Sequence, residues 1–241
     1  LLAQACEAAL TQLGDLSLAG AVAQEIIALD ALNPKALLVM AHLMESRSQT
    51  EDALGLFRRL VDAAGERDER VEALLGVARI LLSRGEKGDE VRTCLQDAVR
   101  EKPDHPEVNR HLKRLYLEGG EHQAVIEVVT RELKQASSDA DKATLCMDIA
   151  EIYQRHLNDG ASFLRWAEEA HGHKRDDTRV VAGIVNHHLN SGEPRRAVPY
   201  LEWLVNYLEG KRRLKELPPY AHELGRILEG MGDTDKAIQY Y

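Results

Sequence analysis

The residues of this 241-residue chain that could do chemistry are ten histidines, three cysteines and many carboxylates. A zinc site needs three or four Cys, His or carboxylate ligands converging on one ion. His171-Gly172-His173 reads as a loop-borne pair, and His187-His188 are adjacent. Two histidines one residue apart in a loop can ligate, but no Cys or carboxylate spacing beside them completes a site. His187 and His188 point about 100° apart on a helix and cannot easily share one ion. His188 also falls on an apolar stripe and reads as a packed side chain. No metal and no cofactor are expected. Cys6, Cys94 and Cys146 are far apart and lack metal or redox spacing. Each sits among apolar helical positions, which reads as buried, reduced thiols in a reducing, cytoplasmic setting.

Signatures of catalysis are missing in the same way. His222-Glu223 has Arg226 where a second zinc-binding histidine would stand, and Gly85-Glu86-Lys87-Gly88 lacks the spacing of a phosphate loop. No Gly-x-Ser-x-Gly nucleophile elbow occurs. Paired carboxylates are numerous, but solvated helix faces supply such pairs by chance. The chain is therefore read as a non-enzyme.

Composition narrows the class further. At 44% hydrophobic and 29% charged, the chain can bury a core. Aromatics make up only 5%, so Ala, Leu and Val must do most of the packing, which suits close helix stacking. The net charge of −9, from 40 acids against 31 bases, argues against a nucleic-acid surface. The one dense basic run, Lys211-Arg212-Arg213-Leu214-Lys215, reads as an exposed connection. No stretch approaches the roughly 20 apolar residues of a membrane span, so no membrane partner is expected. Leu1–Cys6 and Ala237–Tyr241 both read as stretches of helix cut short, which makes self-association through the ends an expectation.

The elements that would position any functional residue are marked by a recurring dipeptide. Gly-acid pairs occur at Gly14-Asp15, Gly85-Glu86, Gly120-Glu121, Gly192-Glu193 and Gly232-Asp233, each followed by a small or branched apolar residue: Ala19, Val91, Ala124, Ala197 and Ala237. A glycine ends a helix by entering the left-handed region. An acid behind it caps the next helix or favours its positive end, as Asp233 could. The turn positions Gly14, Ser48, Gly85 and Gly119 step by 34, 37 and 34 residues. Between them run paired apolar stripes of helical period. Leu37-x2-Met40-Ala41-x2-Met44 is followed by Ala53-x3-Phe57-x2-Leu60, and Ala221-x2-Leu224-Gly225-x2-Leu228 by Ala237-x3-Tyr241. Asn33 and Pro34 read as the N-cap and first residue of a helix.

This pattern resembles the tetratricopeptide repeat, with its W-x2-L-G-x2-Y … A-x3-F … P signature over 34 residues. The resemblance runs over nearly the whole chain. No repeat has Trp at the first signature position; Trp166 and Trp203 fall in second helices. It implies an all-α, right-handed superhelical solenoid of antiparallel helix pairs with about seven repeats. Their approximate bounds are 1–33, 34–68, 69–104, 105–138, 139–176, 177–214 and 215–241, the last truncated. Small residues at Ala41, Ala78, Ala150 and Gly225, and at Ala53, Ala124, Ala197 and Ala237, would let paired helices approach. Phe57 and Tyr153 would fill the space between repeats. The units then stabilise one another as nearest neighbours.

The resemblance also implies a function. In tetratricopeptide proteins the first helices line a concave groove that holds a peptide or helix of a protein partner. Groove positions implied here include His42, Glu45, Asp148, Glu151, Arg155 and Arg179. The candidate partner-binding residues are Arg79, Asn109, Arg110, Lys113, Asn186 and Arg226, with an acidic partner implied by Arg79, Asn109, Arg110 and Lys113. Similar chaperone-tail-binding domains use a Lys–Asn–Asn–Lys–Arg clamp, whose full distribution is missing here. A protein-interaction scaffold is the leading expectation. A structural or oligomerising repeat region of a larger protein is the alternative, and an RNA-binding helical repeat is the third.

The small positions give a direct test. Ala197→Arg should unfold the later repeats by overpacking and by burying a charge. Thermal unfolding followed by circular dichroism checks it, and an unchanged midpoint would show that Ala197 is not a packing position.

Overall fold

A computed structural model of the chain describes residues 16–241, which hold thirteen α-helices and no strand. The first, α1 (Leu16–Leu29), precedes six helical hairpins. These are α2 (Pro34–Ser46) with α3 (Thr50–Ala63), α4 (Arg67–Ser83) with α5 (Asp89–Glu101), and α6 (Pro106–Glu118) with α7 (His122–Gln135). They continue as α8 (Asp139–Arg155) with α9 (Gly160–His173), α10 (Thr178–Asn190) with α11 (Pro194–Gly210), and α12 (Leu217–Gly230) with α13 (Thr234–Tyr240). The Gly14-Asp15 pair and Cys6 lie outside the described residues; Ala19 and Ala23, which follow them, are buried in α1.

Each hairpin turns on one residue with positive φ. Gly85, Gly120, Gly192 and Gly232 have φ of 78°, 71°, 72° and 84°, while Ser48 and Asn158 take the same region at 60° and 51°. Glycine enters it without strain, and Asn tolerates it better than most residues. The following N–H reaches back to close the helix: Glu86 to the Leu81 carbonyl, Glu121 to Tyr116, Glu193 to His188 and Asp233 to Leu228, at 2.8–3.1 Å. These are Schellman closures. In the third of these hairpins the left-handed residue is Gly120, not Gly119, whose φ is −80°.

That single-residue difference corrects the register behind it. Ala53, Ala197 and Ala237 lie five residues after Ser48, Gly192 and Gly232, and each is buried. The same offset from Gly120 reaches Val125, 2% exposed, whereas Ala124 is only half-buried. The acids after glycine also act differently from a cap. Neither Glu193 nor Asp233 bonds an N-terminal amide of the next helix through its side chain; Asp233 instead pairs with Lys236 at 3.0 Å. Side-chain caps are made by Asn33, His105, Ser138, Asp159 and Asp177. The Asn33-Pro34 start is of this kind, with Asn33 accepting from the Ala36 amide at 3.2 Å. The basic run from Lys211 is an exposed connection, turned at Arg212 (φ 55°).

Compactness divides the chain within α7, into one unit through Val128 and another from Val129. In the first unit Phe57 is wholly buried on Gly76 of α4, where an added Cβ would fall 2.6 Å from its ring. A Cβ at Gly20 would meet Leu43 at 2.3 Å, so α1 and α2 approach equally closely. In the second unit Cys146, Ala150, Phe163, Ala167 and Ala170 join α8 to α9, with half-buried Tyr153 against them. Val181, Ala197, Leu201, Leu204 and Leu224 join α10, α11 and α12. Gly225 faces Tyr241 and the Ala237 carbonyl of α13, at 3.1 and 3.4 Å from a hypothetical Cβ.

Two mid-helix glycines should therefore respond oppositely to the same change. Gly76→Ala drives a methyl into the Phe57 ring and should cost about 1–3 kcal/mol. Gly183→Ala meets only Phe163 at 3.8 Å, and should stabilise by up to about 1 kcal/mol through higher helix propensity. Urea denaturation of both variants checks this; equal effects would show that the Phe57 contact does not constrain α4.

Candidate functional site

The first helices of the hairpins carry two polar arrangements, one in each unit. In the first unit, residues one repeat apart come into contact. The Arg79 guanidinium of α4 donates from Nε and Nη2 to the two carboxylate oxygens of Glu45 on α2, at 2.7 and 2.6 Å. The pair is half-buried and bidentate, the strong form of a charge-assisted hydrogen bond. His42 stands 3.6 Å from both Glu45 and Glu72, with its ring edge-on to Phe57. Burial pulls the Glu45 carboxyl upward, but the Arg79 hydrogen bonds and charge, with His42, more than offset it and leave it below the ordinary carboxylate value. Its hydrogen bonds to Glu45 raise the Arg79 guanidinium further above its ordinary value despite burial.

The sequence candidates fall in different places around this pair. Arg79 is engaged with Glu45 rather than directed at solvent. Asn109 is 1% exposed, and its amide donates to the Pro103 carbonyl at 3.1 Å. It ties α6 to the connection before it and is no surface residue. The apolar stripe of α6 begins one position earlier, at Val108, and a short polar side chain beside it turns inward to satisfy a loop carbonyl. Arg110 is exposed and lies 3.4 Å from Glu107. His111 shares that carboxylate at 3.6 Å, and its burial lowers its pKa. Lys113 is half-buried on α6, one 34-residue step after Arg79. Asn186 is exposed on α10. Arg226 is exposed on α12 and pairs with Glu223 one turn before it, Nε to Oε2 at 3.0 Å.

In the second unit α8 and α10 enclose a cleft of about 350 Å³. Met147 and Phe163 form its apolar floor, and Gly183 leaves room above the Phe163 ring. Asp148, Glu151, Arg155, Lys174, Asp177 and Arg179 are the charged residues around it. Arg155 pairs with Glu151 at 3.3 Å, and Arg179 with Asp177 at 3.1 Å. The Arg179 hydrogen bond holds the Asp177 carboxyl below its ordinary value, against the effect of burial. The sequence groove positions Asp148, Glu151, Arg155 and Arg179 thus meet at one opening. Its apolar anchor point was missed. The available signal was Gly183, a glycine inside a helical pattern, which often marks close approach or open space.

The histidines also move from their expected places. His171 and His173 belong to α9 rather than a loop. His171 lies edge-on to Trp203, ring centroids 5.3 Å apart, and its burial lowers its pKa. His188 is buried, as its place on the apolar stripe implied, and stacks on Tyr200. His187 packs on Phe163 instead. Cys146 is fully buried and Cys94 partly so. Burial first, then nearby acids, pushes each thiol up to about 11. No helix among the described residues is long and apolar enough to cross a membrane.

Comparison with known proteins bears on the repeat directly. The Tetratricopeptide repeat family model matches residues 38–106. Of the solved structures, a chain of Naa15/Naa10 bound to HypK-THB aligns with 98% of this chain and 37% of its own length, at 12% identity and a TM-score of 0.64. The crystal structure of MamA protein aligns with 75% of this chain and 94% of its own, at 16% identity and a TM-score of 0.49. MamA 41-end from Desulfovibrio magneticus RS-1 aligns with 73% and 96%, at 12% identity and 0.45. No curated protein matches the chain in sequence.

The Glu45–Arg79 pair predicts a pH dependence. A carboxyl held below its ordinary value stabilises the fold above the unfolded-state value near 4.3, and this is lost as pH falls through the lowered one. Glu45→Gln should therefore cost about 1 kcal/mol at neutral pH, discounted for partial exposure. The gap to the unmodified chain should close on acidification to about pH 3. Denaturant titrations at the two pH values check it, and a gap independent of pH would exclude the pair as its source.

Proposed function

From a chain whose residues 38–106 match the tetratricopeptide repeat model, and whose helical hairpins recur to its last helix, we propose a non-catalytic protein-interaction scaffold. The segment it holds is a peptide or helix of a partner protein, docked along the first helices of the hairpins. The observation that carries the reading is the α8–α10 cleft, where an apolar floor of Met147 and Phe163 lies inside a ring of mixed charge. Binding sites of this type fix a bulky apolar anchor in a pocket and orient it with surrounding polar groups. The fold likeness to a chain of Naa15/Naa10 bound to HypK-THB, itself a protein assembly, is consistent with such a role.

The partner chemistry follows from the pairing of charges. Arg79 and Arg110 are each beside a carboxylate of this chain, so the first unit offers a compensated surface to an acidic ligand. Around the cleft acids and bases are mixed, three of each. A segment with one bulky apolar residue flanked by charges of both signs fits that rim better than a uniformly acidic tail.

Selection from a random peptide library against the whole chain tests the reading. Selected peptides should share a bulky apolar residue with charged neighbours. Gly183→Trp should fill the cleft and weaken their binding at least tenfold, with helical content by circular dichroism unchanged, while Arg226→Ala should leave binding intact. Peptides that bind Gly183→Trp as well as the unmodified chain would place recognition away from α8 and α10.

A further inference from the structure

We propose that Cys146, Glu169 and His173 form a binding site for a divalent cation of the zinc type on the α8–α9 hairpin. Each supplies one ligand atom, and the three atoms lie within 4.8 Å of one another. In sequence Cys146 stands far from the two α9 residues, but the antiparallel pairing of α8 and α9 brings them level. Glu169 and His173 are four residues apart on α9 and so share one face. A tetrahedral ion with bonds of about 2.0–2.3 Å holds its ligand atoms roughly 3.5 Å apart. The cluster therefore needs to contract by about 1.3 Å at most. Cys146, packed among Ala150, Ala167 and Ala170, is the fixed member. Exposed Glu169 and half-buried His173 have the freedom to close on it.

A second contact prepares the imidazole. His173 Nδ1 lies 3.1 Å from the Asp139 carboxylate of α8. Donation of Nδ1–H to a carboxylate fixes the ring and leaves Nε2 as the unprotonated, ligating nitrogen, the arrangement that orients histidines in zinc sites. The donor set suits the ion: thiolate, imidazole and carboxylate together favour zinc over magnesium or calcium, which prefer oxygen alone. Thiolate and carboxylate also balance its two positive charges. On binding, the Cys146 thiol gives its proton to solvent as the sulfur–metal bond forms. Three protein ligands leave a fourth position for water.

The test uses the full, reduced, metal-free chain. Cobalt(II) titration should give tetrahedral visible bands and a thiolate-to-cobalt charge-transfer band, saturating at one ion per chain and displaced by zinc. The charge-transfer band should persist in Cys6→Ser and Cys94→Ser and vanish in Cys146→Ser. Zinc affinity, measured by competition with a chromophoric chelator, should fall at least tenfold in Glu169→Gln and in His173→Gln. Neither residue is buried, so both changes keep the test valid if Cys146→Ser fails to fold. Asp139→Asn should weaken binding by about tenfold. Absence of tetrahedral bands, a charge-transfer band that follows Cys94, or unchanged zinc affinity in both Glu169→Gln and His173→Gln would overturn the proposal.

Discussion

A helical hairpin built from alanine, leucine and valine cannot bury its apolar stripe alone, and every other feature of this chain follows from that constraint. Within each unit a hairpin must lay its exposed stripe against the next, and the two helices of a pair must first approach closely. Small residues make the approach, as at Ala41, Ala78, Ala150 and Ala197, all fully buried. Where a large side chain enters, a glycine stands opposite, as with Phe57 and Gly76 or Tyr241 and Gly225. The left-handed turn residue sets the phase of this packing in five hairpins, where the first buried position of the second helix lies five residues after it; after Gly85 it is the sixth, Val91. A shift of one residue at the turn exchanges a buried position for a half-exposed one, as Ala124 and Val125 show.

The same periodicity organises the charges. Once hairpins stack in register, residues about one repeat apart become neighbours. Arg79 meets Glu45 at a separation of 34 residues, Arg58 meets Glu90 at 32, and Arg92 meets Glu121 at 29, whereas Lys102 meets Asp68 across the open end of a single hairpin. In the second unit Tyr200 meets Glu168 at 32 in the same way, and His173 meets Asp139 across the open end of the α8–α9 hairpin. Each exposed pair contributes little to stability. Their effect on the surface charge is larger, because bases that would form a cationic strip are compensated within the chain. Under the proposed scaffold role, recognition rests on shape and apolar contact more than on net charge.

Much of the fold was legible in the residues. Gly85, Gly192 and Gly232 mark turns because little else enters the left-handed region cheaply, and Asn33-Pro34 marks a helix start for equally local reasons. Ser48 was readable from spacing alone. Asn158, in the turn between α8 and α9, lacks the glycine that flagged the others and passed unread. The candidate site was less legible. Arg79 and Lys113 were identified by register, but register alone does not distinguish a base facing solvent from one held by a carboxylate of the preceding repeat. Asn109 looked like a surface amide, yet it is buried and serves the loop carbonyl of Pro103.

The sequence by itself determined the helical period, the places where helices end and the positions that must be small, since these depend on φ, ψ and side-chain volume within a few residues. Tertiary structure alone decided which distant side chains meet. It placed Cys146 beside Glu169 and His173, paired Arg79 with Glu45, and opened a cleft over Phe163 at Gly183. Those outcomes depend on the distance and rotation between neighbouring helices. Both are set by the summed packing of many side chains, which no short stretch of residues encodes.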